Sequence, residues 1–107
     1  MDYQKTLASW NIWSIKDREL LNLMVARKGG KTTTKIIDKI LEWPKNKNQL
    51  AKELGMDYKT ISYHIDIMKE HDYLLEEKCN KHYYYSPSDK LFNSIEEYNL
   101  IKEYIKE

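Results

Sequence analysis

Four polar residues in the middle of the chain combine hydrogen-bond donors, one positive charge and two aromatic rings. They are Tyr58, Lys59, Ser62 and Tyr63, and the next acidic residue after them is Asp66. The base edges and phosphates of duplex DNA present hydrogen-bond acceptors and negative charge. Side chains of these types on one face of a helix therefore suit an element that enters the major groove.

The neighbouring apolar residues predict that this segment is a helix with one buried face. Ile61, Ile65 and Met68 are separated by four and three positions, so they share one side of a helix. Asp57 is expected to cap the helix, because its carboxylate can accept the unpaired N–H groups of the first turn. The four polar residues then lie on the outward face, with Thr60 directed towards the DNA backbone or the preceding turn.

A shorter helix is predicted immediately before this one. Its apolar edge consists of Leu50, Ala51 and Leu54. We expect Gly55 to break the helix and Asn48 to cap its start, where the exposed N–H groups could meet a phosphate. We also expect Lys47, Asn48 and Gln49 to bind DNA phosphates and so to fix the position of the protein along the duplex.

The residues after the two helices predict a β-hairpin. Two alternating, tyrosine-rich runs flank the sequence Cys79-Asn80-Lys81-His82. Asn80 tolerates the left-handed conformation that tight hairpin turns need, although glycine would be a stronger signal at Lys81. We expect Lys78, Asn80, Lys81 and His82 to lie along the adjacent minor groove or its backbone. The order of helix, turn, helix and hairpin is that of a winged helix-turn-helix.

Several motifs in this region occur together in one family of regulators. They are the N-Q-L-A opening, the L-G turn, the run D-Y-K-T-I-S-Y-H-I, the hydrophobic pair that closes this region, and the upstream KGGKTTTKIIDKILEWP. Over roughly residues 28 to 87 the chain resembles ArsR-like winged-helix transcriptional regulators, especially the small archaeal ones. The resemblance implies sequence-specific binding of double-stranded DNA, usually as a homodimer, with repression or activation of transcription. Contacts with the transcription machinery are a further possible partnership. The family typically has a more basic wing, so we expect phosphate contact by this hairpin rather than minor-groove reading.

The 107 residues are expected to form one mainly α-helical domain with a small β-hairpin. The predicted regions are an N-terminal extension and helix (1–30), the winged helix-turn-helix DNA-binding domain (31–87) and a C-terminal dimerisation helix (88–107). We expect Gly29-Gly30 to stop the first helix, and the threonines 32–34 to cap the second. Trp43-Pro44 should end the second helix, because the residue before proline disfavours the helical region.

The two ends of the chain carry more apolar side chains than a lone surface helix beside a small core requires. They are Trp10 and Trp13 near the start, and Leu91, Phe92, Ile95, Tyr98, Ile101, Tyr104 and Ile105 in a helix predicted to run from Ser88 onwards. Packing within one chain is one explanation. Our hypothesis is that part of this set forms a two-fold dimer interface, as terminal helices do in the family that the chain resembles. Such a dimer would hold its two recognition helices roughly 34 Å apart and require a near-palindromic DNA site.

Positive charge is concentrated in one part of the chain, although the net charge is only +1. Residues 27 to 59 contain nine basic and four acidic residues, a balance of +5, whereas residues 60 to 107 contain six and ten, a balance of −4. The basic part coincides with the predicted helix-turn-helix, which is where phosphates would lie. A basic surface that only faces solvent would have the same charge. The overlap of the basic part with the predicted helix-turn-helix is what favours DNA binding.

Enzymatic, metal-binding and membrane roles are not supported. The sequence has no glycine-rich phosphate loop, nucleophile elbow or carboxylate pair at catalytic spacing, so we expect no catalysis. Some ArsR-like proteins sense metals through paired cysteines or sets of histidine and acidic residues, but Cys79 is the single cysteine here. We expect no metal or other cofactor, and we expect His64 to be a half-buried helix histidine near the wing. No apolar run approaches the roughly 20 residues that cross a bilayer, and one cysteine is typical of a reducing cytoplasm.

Two other roles fit part of the pattern. A winged helix can act as a protein-interaction module of a transcription or assembly complex without reading DNA. The charge distribution and the absence of acids on the outward face speak against that role. An RNA-binding module would need a stacking platform, and at most two of Tyr83, Tyr84 and Tyr85 can share one side of a strand.

Overall fold

The elements follow the order helix, turn, helix and hairpin that the sequence predicts. The computed structural model describes residues 14–26 and 28–106, and Trp10 and Trp13 of the predicted dimer interface lie outside these residues. The elements are α1 (Arg18–Leu21), which continues into a π-helical turn (Asn22–Ala26), α2 (Gly30–Glu42), α3 (Lys47–Leu54), α4 (Tyr58–Glu70), β1 (Leu74–Cys79), β2 (His82–Pro87), α5 (Asp89–Asn93) and α6 (Ile95–Lys106). The predicted fold class, mainly α-helical with a small hairpin, is confirmed.

One apolar core joins the helices. Its fully buried residues include the isoleucines of α2 and the inner face of α4, namely Ile36, Ile37, Ile40, Ile61, Ile65 and Met68. Removing each of these side chains from water contributes roughly 1.5–3 kcal/mol. The buried face predicted for α4 is confirmed, and its burial turns the opposite face of this helix outwards.

The turn between α3 and α4 is set by Gly55, which ends α3 in the left-handed conformation at φ 63°. The cap of α3 differs from the prediction, because Asn46 and not Asn48 occupies that position. The Asn46 side chain accepts the Gln49 N–H at 2.7 Å, and the Gln49 side chain accepts the Asn46 N–H at 2.9 Å. Two unpaired backbone donors are thus satisfied reciprocally. Asp57 holds the predicted cap position of α4, but its side chain makes no capping hydrogen bond.

The start of α2 was predicted incorrectly. Gly30 begins the helix with Gly29 at its cap, instead of the two glycines lying outside it and the threonines 32–34 capping it. Position 30 requires glycine because two backbone segments approach closely there, and a Cβ on Gly30 would lie 1.9 Å from the Met24 carbonyl oxygen. Thr34 is buried inside the helix, where its hydroxyl donates to the Gly30 carbonyl at 3.0 Å. The end of α2 at Glu42, just before Trp43-Pro44, is confirmed.

Strands β1 and β2 form an antiparallel hairpin, which we call the wing. Pairing runs from Leu74 with Pro87 to Cys79 with His82, so a two-residue turn joins the strands. Asn80 has a φ of 60°, as the sequence predicts.

The loop before α3 extends the sheet. Backbone hydrogen bonds run both ways between Lys45 and Tyr85, at 3.2 and 2.9 Å. The base of the wing is therefore held against the start of α3.

The C-terminal region is divided into α5 and α6, and a continuous helix from Ser88 was the wrong prediction. Ser88 caps α5 by accepting the Leu91 N–H at 3.2 Å. The break follows at Ser94, whose hydroxyl donates to Asp17 Oδ2 at 2.7 Å. A hydrogen bond to a segment 77 positions away thus accompanies the end of α5.

Part of the predicted dimer interface is used inside the chain. Leu91, Tyr98 and Ile101 are fully buried in the core, so their side chains have no surface left for a partner in this conformation. Packing within one chain explains these residues. Phe92 is 52% exposed, and the remaining members, Ile95, Tyr104 and Ile105, are half-buried. Among the described residues, no helix is both long enough and apolar enough to cross a membrane.

A polar cluster ties the segment before α1 to the end of α4. The Asp17 carboxylate accepts hydrogen bonds from the Tyr73 hydroxyl at 2.7 Å, the Ser94 hydroxyl at 2.7 Å and the Leu20 N–H at 3.0 Å. Partial burial acts to raise the pKa of Asp17, but these hydrogen bonds outweigh burial and hold the pKa below its ordinary value.

Glu19 completes this cluster. Its carboxylate accepts a hydrogen bond from the Lys90 ammonium at 2.6 Å and another from His71 at the end of α4. The hydrogen bonds from Lys90 and then His71 lower the pKa of Glu19. The end of α4 is thereby fixed to both α1 and α5.

Candidate nucleic-acid interface

The outward face of α4 is open to solvent. Tyr58 is 48% exposed and Tyr63 is 59% exposed, and Lys59 and Thr60 are exposed as well. Ser62 is half-buried at the margin of this face. The surface that the sequence assigns to DNA is therefore accessible in the folded chain.

This face has two distinct edges. An α-helix turns by about 100° per residue, so Tyr58 and Ser62 lie on one edge and Tyr63 and His64 on the other. Lys59 lies between them. The first edge faces the wing, and the second faces the turn between α1 and α2.

A cleft of about 340 Å³, which we call the wing cleft, separates the first edge from the wing. Its walls come from the start of α3, the start of α4 and the two strands, and they consist of Asn46, Lys47, Asn48, Tyr58, Glu76, Lys81, His82, Tyr83 and Tyr85. Five of the predicted DNA-binding residues belong to this set, although they come from three elements. Their amides, ammonium groups and aromatic rings are the types that contact a sugar-phosphate backbone.

Two predicted wing residues lie outside this cleft. Asn80 is at the exposed tip of the hairpin. The Lys78 ammonium lies 5.8 Å from the centroid of the Tyr83 ring, where the charge and the aromatic face attract each other weakly. The structure therefore groups Lys81 and His82 with α4, and leaves Lys78 and Asn80 at the margin.

Lys47 has partners within the chain that the sequence did not reveal. Its ammonium donates to Ser62 Oγ at 2.8 Å and to Asp66 Oδ1 at 3.3 Å, and lies 5.8 Å from the centroid of the Tyr85 ring. These contacts connect α3 to α4 and orient the Ser62 hydroxyl. The Gln49 amide oxygen is likewise engaged, in the cap of α3. Phosphate binding by either residue stays a prediction.

The inner end of the wing cleft carries a negative charge. Glu76 Oε2 accepts hydrogen bonds from the Tyr85 hydroxyl at 2.8 Å and from the Lys69 ammonium at 3.0 Å. These two hydrogen bonds lower the pKa of Glu76, while burial and the carboxylate raise the pKa of Tyr85. A phosphate is therefore expected to bind at the rim, near Lys81, and not beside Glu76.

Glu76 is exposed on β1, and its carboxylate nevertheless has two partners within the chain. The side chain lies opposite Tyr85 in the hairpin register, which places the hydroxyl and the carboxylate together. The alternating pattern of the two strands predicts which residues share a face of the hairpin. Placing Glu76 opposite Tyr85 also requires the exact strand pairing.

The basic part of the sequence is only partly available for a ligand. Lys39 and Lys45 both pair with Glu53, at 3.8 and 3.2 Å, and Lys47 pairs with Asp66. Other lysines of this part have no carboxylate within 4.0 Å among the described residues, namely Lys28, Lys31, Lys35, Lys52 and Lys59. Available positive charge thus lies on the outward face of α4 and around α2 and α3.

A second cleft, which we call the turn cleft, lies along the other edge of α4. It measures about 390 Å³ and is lined by Lys28, Gly29, Tyr63 and His64. His64 is buried at 6% exposure, with its Nδ1 atom 3.3 Å from the Thr33 hydroxyl. The prediction that His64 is half-buried near the wing is therefore wrong. Its side chain is buried, and it projects from the side of α4 that faces the turn between α1 and α2.

Solved structures with similar backbones show which fold these elements form. A MarR protein from Peptoclostridium difficile matches with a TM-score of 0.58 and 24% sequence identity, over 94% of this chain and 60% of that chain. NolR from Sinorhizobium fredii matches with a TM-score of 0.53 and 15% identity, over 91% of this chain and 92% of that chain. The chain has the winged helix-turn-helix fold.

The winged helix is established here by backbone similarity. No family model and no curated protein matches the sequence. The chain spans 60% of the length of the MarR protein. In this winged helix, α3 and α4 form the helix-turn-helix, and β1 and β2 form the wing that flanks α4.

Potential metal ligands of the winged helix are dispersed. Within residues 14–26 and 28–106, no group of three histidine, cysteine or acidic residues could hold a metal ion. Cys79 is a free, exposed cysteine on β1.

Proposed function

We propose that this winged helix is a sequence-specific, double-stranded DNA-binding transcriptional regulator. One observation carries the proposal: the first half of α4 presents Tyr58, Lys59 and Tyr63 to solvent, while Ile61 and Ile65 anchor the helix from beneath. An α-helix of this kind fits the major groove, which is about 12 Å wide. The ArsR-like, archaeal assignment rests on the sequence motifs and forms part of the same proposal.

The outward residues of α4 would contact the bases. Lys59 lies at the centre of the exposed face and could donate to guanine acceptors, while the rings of Tyr58 and Tyr63 could contact thymine methyl groups. Ser62 Oγ already accepts from Lys47, so its hydroxyl hydrogen is available to donate. Thr60 would face the DNA backbone.

Phosphate contacts would fix the position of α4 in the groove. The proposed residues are Lys47, Asn48, Gln49, Lys78, Asn80, Lys81 and His82. Asn48, Lys81 and His82 have the strongest support, because they line the wing cleft together. Such contacts add affinity without distinguishing sequences.

We also propose that two copies bind a near-palindromic site. Support comes from Phe92, which leaves more than half of its surface exposed beside α6. Ile95, Tyr104 and Ile105 retain part of their surface and complete the proposed interface. Sedimentation at high micromolar concentration, with and without duplex DNA, measures this directly, and a monomer under both conditions would remove the dimer proposal.

Selection of bound duplexes from a random pool tests the main proposal. The wild-type protein is expected to enrich one motif, and the Tyr58→Ala and Lys59→Ala variants should each relax it at particular positions. Lys35→Ala is the matched control, because Lys35 lies away from α4 in a cleft between α2 and α6. Enrichment of no motif by the wild-type protein would contradict sequence-specific binding.

Binding to single-stranded DNA, RNA and duplex DNA at one salt concentration separates the nucleic-acid alternatives. The comparison is needed because Tyr58, His82 and Tyr83 line one cleft and could stack bases of a single strand. We expect the duplex to bind most tightly.

A protein-interaction role is the competing proposal, and exposed apolar side chains favour it. Trp43 is 73% exposed and Leu75 is 56% exposed, both outside the outward face of α4. A stoichiometric protein partner together with no duplex binding would decide for this role.

A further inference from the structure

The recognition helix α4 lies between two clefts, and the sequence predicted a ligand for only one of them. The wing cleft borders the edge that carries Tyr58, and the turn cleft borders the edge that carries Tyr63. These residues are five positions apart and therefore lie about 140° from each other around the helix. The two clefts thus open on opposite sides of the face that carries Lys59.

The turn between α1 and α2 is fixed against α4 by close packing. A Cβ on Gly29 would lie 2.4 Å from His64 Cε1, so a residue with a side chain could not approach as closely without displacing the imidazole. The same imidazole lies 3.3 Å from the Thr33 hydroxyl, one helical turn into α2. Lys28, which precedes Gly29, is therefore held at a defined distance from α4.

Lys28 places a positive charge beside the turn cleft. It is exposed, it lines the turn cleft beside Tyr63, and no described carboxylate lies within 4.0 Å of its ammonium. By contrast, the Lys47 ammonium on the other edge of α4 is paired with Asp66. Among the described residues, a cation without a carboxylate within 4.0 Å therefore lies on each side of α4, Lys81 at the wing cleft and Lys28 at the turn cleft.

A helix in the major groove has one sugar-phosphate backbone on each side. If α4 occupies the groove, the wing cleft faces the backbone of one strand and the turn cleft faces the backbone of the other. We infer that Lys28 binds a phosphate of the strand opposite to the one that the wing contacts. This inference rests on the proposed function, and it adds a second contact region that lies outside the helix-turn-helix and the wing.

The dependence of DNA affinity on salt tests the role of Lys28. Lys28→Ala should weaken binding to all duplexes alike and reduce the slope of log affinity against log salt by about 0.9, the value for one phosphate. Lys28→Arg should restore the slope, because it retains the charge. Lys35→Ala removes the same charge from an exposed position on α2 and should leave the slope unchanged.

Neutral phosphate analogues identify the strand. We expect a methylphosphonate, introduced at one phosphate at a time, to reveal a position where the replacement weakens DNA binding by the wild-type protein several-fold. The same replacement should not affect DNA binding by the Lys28→Ala variant. DNA binding by the Lys81→Ala variant should be insensitive to a methylphosphonate at a position on the other strand. An unchanged salt slope for Lys28→Ala, or coupling of Lys28 and Lys81 to the same strand, would overturn the inference.

The two proposals fail in different ways. Absence of duplex binding by the wild-type protein would remove the proposed function and this inference with it. Tight, sequence-specific binding by the wild-type protein with an unaltered slope for Lys28→Ala would remove the inference alone.

Discussion

Tyrosines occur in two contrasting settings in this winged helix. Three are buried, and each donates its hydroxyl to a carboxylate: Tyr73 to Asp17 at 2.7 Å, Tyr85 to Glu76 at 2.8 Å and Tyr98 to Asp38 at 2.6 Å. Three others, Tyr58, Tyr63 and Tyr83, are 48%, 59% and 48% exposed, and they line the two clefts beside α4. The same residue type therefore serves two different purposes.

The buried tyrosines hold distant elements together. Tyr98 on α6 reaches both Asp38 and the Thr34 carbonyl of α2, and Tyr73 reaches Asp17 before α1. Burial first, and then the neighbouring carboxylate, raise the pKa of both phenols, so their hydroxyls stay protonated and able to donate. The rings of the exposed tyrosines lie at the surface beside the two clefts.

The largest expected effect comes from removing a buried tyrosine. Tyr98→Ala should lower the free energy of unfolding by about 3–5 kcal/mol, because it leaves a cavity between α6 and α2. Tyr98→Phe should cost about 1–3 kcal/mol, since it keeps the ring and removes only the hydroxyl that bonds to Asp38 and the Thr34 carbonyl. Denaturant unfolding measures both.

An exposed tyrosine supplies the control for that comparison. Tyr83→Ala should change the free energy of unfolding by less than about 0.5 kcal/mol. If Tyr83→Ala lowered the free energy of unfolding more than Tyr98→Phe, the division into buried, stabilising tyrosines and exposed tyrosines would be wrong.

The next effect concerns DNA and not stability. Lys59→Ala should weaken binding to the preferred duplex by about 1–3 kcal/mol and relax the preference at one base position, with unfolding unchanged. Titration of matched and single-mismatch duplexes measures this change. An equal loss for every duplex would show that Lys59 contacts a phosphate and not a base.

A smaller effect is expected at the rim of the wing cleft. Lys81→Ala should weaken binding to all sequences alike and reduce the salt slope by about one unit. Glu77→Gln, at an exposed carboxylate on β1, is a control for charge changes on the wing. A loss of sequence preference in Lys81→Ala would assign base contact to the wing instead.

The smallest expected effect is on the pH dependence of stability. The pKa of Asp17 is lower in the folded chain than its ordinary value of 3.8, so this carboxylate stabilises the fold above that value. That contribution is lost as the pH falls through the lowered pKa. Asp17→Asn should therefore reduce stability near neutral pH and flatten the decline in acid, and unfolding curves at a series of pH values below 7 measure this. An unaltered acid decline would show that the pairing with Tyr73 is not coupled to folding.

Local features of the fold were predictable because they depend on short-range patterns. The inner face of α4 follows from the spacing of Ile61, Ile65 and Met68, and the break at Gly55 from its conformational freedom. The hairpin turn follows from the tolerance of Asn80 for positive φ. Each of these depends on neighbours within one or two helical turns or one strand pair.

The errors arose where distant residues decide. Gly30 lies within α2 and serves a close approach to the backbone at Met24, instead of stopping a helix. The C-terminal helix is broken at Ser94, which bonds to Asp17, and Tyr98 is used in the core and not at a surface. Local propensity could not reveal these partners, because they lie tens of positions away along the chain.

The candidate site shows the same division. Tyr58, Lys59 and Tyr63 were recognisable as an outward face, since helical periodicity alone separates them from the buried isoleucines. The contacts of Lys47 with Ser62 and of Glu76 with Tyr85 required the packing of α3, α4 and the wing. Lys28 belongs to the basic part of the sequence, but only the approach of Gly29 to His64 places it beside α4.

The sequence by itself determined which face of α4 is buried, where the hairpin turns and where positive charge accumulates, because these properties depend on spacing and composition. Tertiary structure alone decided which of those charges are neutralised, which tyrosines stabilise the core, and that two clefts flank α4. The physical reason is that an ion pair or a buried hydroxyl depends on the distance between atoms in space, and residues such as Tyr98 and Asp38 meet only after the chain has folded.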